Sequence, residues 1–153
     1  MTAPDHGPGV RIPPPVMVAG LLAVAWLLRQ VMPVPIGPPL PALGALVIFA
    51  ALALIGWAVL VMVRAGVDPR PDKPDAAMVE AGPFRFSRNP IYLGFLLVVA
   101  GFALRWGDLW AWVALAAAHL VLDRMVVARE EAYLATRFGA AYAAYRGRVR
   151  RWV

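Results

Sequence analysis

The chain has 153 residues, 61% of them hydrophobic and 16% charged, with a formal net charge of +6. A soluble domain carries about 45–50% apolar and about 25% charged residues, so this composition is that of a membrane protein, and its length allows one domain of a few spans. Cysteine is absent and the only histidines are His6 and His119. This excludes disulfides, thiol nucleophiles and a metal site of the histidine or cysteine type; the basic residues cluster at span ends, as topology requires, rather than marking a nucleic-acid surface.

Residues 1–15 are rich in proline and glycine, lack the charged start of a signal peptide, and are expected to form a short disordered tail. The rest, 16–153, is expected to be a single membrane domain. Residues 16–32 form the first apolar run, followed by a stiff turn containing Pro33, Pro35, Gly37, Pro38, Pro39 and Pro41. Residues 42–63 give 22 positions without a charge, the clearest span. A polar connector over 64–86 carries Asp68, Arg70, Asp72, Lys73, Asp75 and Glu80. The third span, 91–104, covers only about 21 Å of a hydrocarbon core about 30 Å thick. Arg105-Trp106-Gly107-Asp108 makes a tight turn, and 109–128 returns across the membrane. That fourth helix is expected to run past the membrane to Arg137 and to stop at a glycine cap, Gly139.

The expected fold is therefore an all-α integral-membrane bundle of four transmembrane helices with a cytosolic C-terminal helical extension. Lysine and arginine number five between Arg64 and Arg88 and seven from Arg124 onward, against one in each opposite turn (Arg29 and Arg105). This bias puts both termini and the connector in the cytoplasm, with Trp106, Trp110 and Trp112 in the outer aromatic belt.

Two polar clusters fall on that cytoplasmic side. In the first, Ser87-Arg88-Asn89-Pro90, asparagine suits an N-cap and proline the first helical position, so a helix should start here. Its free N–H groups, with Arg88, would attract an anion, and Gly94 would allow close approach of another group. The same residues also describe a well-capped helix with a snorkelling arginine. In the second cluster His119, Asp123 and Glu130 lie at spacings of four and seven, with Arg124 and Glu131 on an adjacent stripe. Arg124 pairing with Asp123 or Glu131 would satisfy these charges, and His119 suits a helix–helix hydrogen bond. Glu130 and Glu131 point about 100° apart on a helix and cannot easily share one substrate, but either suits the vicinal hydroxyls of a ribose. Tyr142 and Tyr145 share a helical face, as an interfacial helix or a lid would require.

The run from Gly82 to Gly94, Gly-Pro-Phe-Arg-Phe-Ser-Arg-Asn-Pro-Ile-Tyr-Leu-Gly, resembles the signature G-x-[YF]-x-x-x-R-[HN]-P-x-Y-x-G of isoprenylcysteine carboxyl methyltransferases. Glu130-Glu131-Ala132-Tyr133-Leu134, Phe138-Gly139, Tyr142, Tyr145 and the ending from Arg148 to Trp152 look like the second block of that family. The related phospholipid methyltransferases share the plan, and the likeness covers about residues 80–152. It implies an enzyme that uses S-adenosyl-L-methionine, releases S-adenosyl-L-homocysteine, has no Rossmann domain and binds no metal. By position, the cofactor would meet Phe84, Arg88, Asn89, Pro90, Tyr92, Leu93 and Gly94 of the first block. Glu130, Glu131 and Tyr142 of the second would complete its pocket. Arg124 and Glu131 are the candidate catalytic residues, one orienting an anionic acceptor and the other deprotonating an amine or thiol, a task open to His119 as well. A carboxylate acceptor would need no base. Asn89 stands where eukaryotic members carry histidine, as in bacterial members. The implied acceptor is lipophilic: an isoprenylcysteine-type carboxylate, a phospholipid amine or a small hydrophobic molecule drawn from the bilayer. A non-catalytic membrane scaffold is the alternative of another class.

Overall fold

The computed structural model describes residues 12–69 and 77–153. Most of the expected N-terminal tail, and Arg70, Asp72, Lys73 and Asp75 of the connector, lie outside these residues. Helix α1 spans Pro14–Val31 and α2 spans Pro41–Arg64. A 3-10 turn, Gly82–Arg85, precedes α3 (Pro90–Trp106), and α4 (Leu109–Val121) leads through a π-helical turn, Leu122–Val127, into α5 (Ala128–Arg148). Prolines open α1, α2 and α3 because a first-turn residue has no helical use for an N–H. Pro14 and Pro15, assigned above to the tail, therefore already belong to α1.

Helices α1, α2 and the continuous α4–α5 rod are long and apolar enough to cross a membrane. At 17 residues, α3 is the shorter apolar helix and reaches only about 25 Å. Large apolar side chains, such as Phe49 at 72% and Leu46 at 63% exposure, point outward along α2. Such a surface is stable only against lipid.

The helices stand in the spatial order α2, α3, α4, α1, with α1 also leaning on α3. The α2–α3 contact is the most extensive, and the sequence shows why. The buried positions of α2 are Gly44, Ala51 and Ala58, seven apart, and α3 answers with Gly94 and Gly101. A Cβ on Gly44 would strike the carbonyl oxygen of Gly101, and one on Gly101 would lie 2.8 Å from that of Gly44. Lipid-embedded helices associate through such small residues because hydrophobicity cannot drive them together. Gly94 belongs to the same seam: its missing Cβ makes room for the Ile55 side chain.

Because α3 and α4 stand between α1 and α2, the proline-rich turn must cross the tip of the α3–α4 hairpin. It does so by hydrogen bonds from Ile36 N–H to the Gly107 carbonyl, Leu40 N–H to Leu104 and Leu109 N–H to Val34. Asp108 is the hub: one carboxylate oxygen caps α4 at Trp110 N–H (3.1 Å), the other accepts from Val34 N–H (2.8 Å). Replacing Asp108 with alanine removes a cap and a bond to a buried charge. The expected loss is about 2 kcal/mol, read as a lower melting temperature in detergent, with Asp108→Asn retaining most of the stability.

At the opposite end, α2 outlasts α3. The 3-10 turn sits beside Trp57 and Val61 of α2, where Gly82 allows the approach. The start of α3 is thus recessed behind the end of α2. The rod from α4 does not stop at Gly139, as the glycine suggested. It bends there (φ 50°, ψ −119°) and continues to Arg148.

Candidate functional site

A cavity of about 260 Å³ fills the recess at the start of α3. Its polar wall holds Arg88, Asn89 and Tyr92 from the α3 end and Glu130, Glu131 and Tyr142 from α5. Its apolar wall includes Pro13–Pro15 before and within α1, Met62 at the end of α2, Met78 of the connector, and Ile91 and Phe95 of α3. Phe84, Pro90 and Tyr145 also line it.

Of the site residues named from the sequence, Phe84, Arg88, Asn89, Pro90, Tyr92, Glu130, Glu131 and Tyr142 share this cavity. Leu93, Gly94 and Arg124 are not among its lining residues. Gly94 serves the helix seam instead. The Arg124 side chain is 79% exposed and pairs with Asp123, at 3.7 Å. His119 is not a lining residue either; its ring lies 5.1 Å from that of Trp152.

Asn89 occupies the N-cap position without using its side chain as a cap. Its amide donates to the Arg151 carbonyl at 2.9 Å, and the Ser87 hydroxyl accepts from Asn89 N–H at 3.1 Å. The C-terminal segment is thereby stitched to the first cluster, with Arg88 N–H bonded to the Arg150 carbonyl at 3.0 Å. Tyr145 completes the seam by donating to the Phe84 carbonyl at 2.7 Å.

Of the two pairings expected for Arg124, that with Asp123 is present, whereas Glu131 pairs with other arginines. Glu131, buried, engages Arg88 Nη2 at 3.1 Å and takes two bonds from Arg151, from Nε at 3.2 Å and from Nη2 at 2.5 Å. Arg151 Nη1 also bonds Asp123 at 3.1 Å. Arg151 therefore takes the place beside Glu131 that was open to Arg124, and shares Asp123 with it. The π-helical turn explains this. Eight residues of straight α-helix would set Asp123 and Glu131 about 80° apart, but a π turn absorbs about one residue and brings them within about 20°. No hydrophobic period announces such a turn. A clue was the surplus of acids on the rod over partners at helical spacing, which calls for a cation from elsewhere in the chain.

Glu130 accepts from the Tyr92 hydroxyl at 3.0 Å. Among the described residues, Arg88 Nε is a buried side-chain nitrogen with no hydrogen-bond partner. Hydrogen bonding to Glu131 raises the pKa of Arg151, so that guanidinium is always charged. Burial, then the charge of Glu131, raises the Tyr142 phenol; burial, then Glu80, raises Tyr145. Both tyrosines are thus neutral hydrogen-bonding groups at any physiological pH. A raised folded pKa makes the stabilisation complete below the unfolded value near 10 and removes it as pH climbs through the folded value. Melting curves from pH about 8 to about 11 should fall on the alkaline side, and Tyr145→Phe should start lower by about 1 kcal/mol and fall less steeply.

The profile of the phospholipid methyltransferase family matches residues 40–141, two-thirds of the chain. A stretch of 63 residues is 38% identical to an uncharacterised protein of Haemophilus influenzae, covering 41% of this chain and all of that protein. The family match runs from the end of the proline-rich turn, through the α2–α3 seam and the recessed start of α3, to the glutamates of α5. The chain belongs to the phospholipid methyltransferase family of membrane methyltransferases.

Proposed function

We propose that this protein transfers a methyl group from S-adenosyl-L-methionine to a lipophilic acceptor at the cytoplasmic face of a bacterial inner membrane. The observation that carries the reading is a cavity in which residues of both polar clusters meet a wall of apolar side chains. The lysine and arginine bias supports the cytoplasmic orientation.

The residues present suit this methyl donor. Its carboxylate calls for a cation, and Arg88 offers one whose Nε–H is buried and unbonded. Its ammonium and ribose hydroxyls call for acceptors, which Glu130 and Glu131 supply. Its flat base and positive sulfur suit the faces of Phe84, Tyr92 and Tyr142. When bound, the donor supplies an activated methyl whose transfer leaves a neutral thioether.

The protein then has to orient, desolvate and, for some acceptors, remove a proton. Met62, Met78, Ile91 and Phe95 keep water from one side and suit a lipid tail. The Tyr92 ring lies 6.2 Å from that of Phe95 and its hydroxyl donates to Glu130, so a headgroup amine beside this apolar wall would find a carboxylate. A carboxylate acceptor needs only alignment, and alignment alone supplies a large rate factor. Neither Arg124 nor His119 reaches the cavity, so neither is assigned a catalytic part.

The test is calorimetric binding of S-adenosyl-L-homocysteine to the full-length protein in detergent, then transfer of labelled methyl to a total lipid extract or a farnesyl-cysteine analogue. Saturable binding is expected, with label in one acceptor class. Absence of binding at millimolar ligand would sink the proposal. Label in the lipid extract identifies a headgroup amine, and label in the analogue identifies a carboxylate.

A further inference from the structure

We infer that Arg151 is a positioning residue of this site, which aims Glu131 at a hydroxyl or ammonium group of the methyl donor. The inference rests on the methyltransferase reading and assigns a task to a residue outside the cavity lining.

A carboxylate offers about four acceptor positions. On Glu131, Oε1 is engaged by Arg88 Nη2 and Arg151 Nε, and Oε2 by Arg151 Nη2. One position, on Oε2, is left for the cavity. Glu131 thus suits a single donor group rather than both hydroxyls of a ribose. Its direction is fixed by the planar fork of Arg151, because two parallel bonds define the carboxylate plane where one would let it turn.

The fork is itself held on both sides. Asp123, brought into line by the π-helical turn, takes its third nitrogen. The Arg151 carbonyl accepts from the Asn89 amide and, at 3.3 Å, from the Ser87 hydroxyl. A single residue therefore sets the second polar cluster with its side chain and the first with its backbone. Arg151 is not needed as a surplus cation, because Arg88 and Arg151 together only match the charges of Asp123 and Glu131. Its contribution is direction.

The experiment compares full-length wild type with Arg151→Ala, Arg151→Lys and Asp123→Asn in detergent, reading the dissociation constant for S-adenosyl-L-homocysteine and the melting temperature. Arg151→Ala is expected to weaken binding about 30-fold, in the range of a bond to a charged group. Arg151→Lys keeps the charge without the fork and should remain within about threefold of the alanine variant. Asp123→Asn, which frees one side of the fork, should weaken binding about fivefold with little change in melting temperature. If lysine restores wild-type affinity, Arg151 is only a counter-charge and the inference is overturned. It is overturned equally if melting falls while affinity holds. Should the alanine variant not fold, the lysine and Asp123 variants decide by the same criteria. A wild type that does not bind overturns the methyltransferase reading and this inference together; a binding wild type with indifferent variants overturns this inference alone.

Discussion

Glu131→Gln is expected to show two separate losses. Affinity for S-adenosyl-L-homocysteine should fall about 100-fold, the upper range for a bond to a charged group. Stability should fall by about 3 kcal/mol, because Arg88 and Arg151 lose the carboxylate between them and the new amide nitrogen faces guanidinium donors. Arg151 is partly exposed, and water will recover some of its share. Glu130→Gln makes the informative comparison. Its Tyr92 partner can still donate to an amide oxygen, in a weaker, uncharged hydrogen bond. That variant should lose binding while melting near the wild-type temperature. Equal melting losses in both would mean that the buried ion cluster is not confined to Glu131.

Gly44→Leu is expected to part α2 from α3. Even a methyl group there meets backbone, the carbonyl of Gly101, which cannot swing aside as a side chain can. Gly44→Ala should cost about 1–3 kcal/mol as overpacking, and leucine more, seen as a lower melting temperature and loss of a single peak in size exclusion. Gly56 supplies the control on the same helix. Nothing lies within 4 Å of a Cβ there. Gly56→Ala should be neutral or stabilise by about 0.5–1 kcal/mol, since alanine restricts the unfolded chain. Similar losses at both glycines would place the seam elsewhere.

The spans were legible because they are runs of apolar residues closed by proline and charge, and such runs have few other uses. Their neighbours were not. Nothing in the first two spans reveals that they stand on opposite sides of the bundle, since that is decided by a turn whose bonds join residues about 70 positions apart. The polar clusters could be found because arginine, asparagine and glutamate are conspicuous beside lipid. The partner of Glu131 could not, because Arg151 sits 20 residues away, beyond a bend at Gly139. Arg124, adjacent to Asp123 and seven residues from Glu131, was the natural choice on helical spacing. The π-helical turn breaks the period on which that choice depended. Gly94 was seen as making room for a ligand, and it does make room, but for Ile55.

The proline-rich turn over the α3–α4 hairpin has a consequence for how the chain assembles. Helices α1 and α2 leave the ribosome first, yet in the finished bundle they barely touch, each finding its partner in the later hairpin. Until the hairpin follows, neither has the helix it packs against in the finished bundle. The hairpin must then slot between two segments already in the bilayer, tethered by a nine-residue strap from Met32 to Leu40. The prolines of that strap restrict it beforehand, so less conformational entropy is lost when the hairpin docks under it.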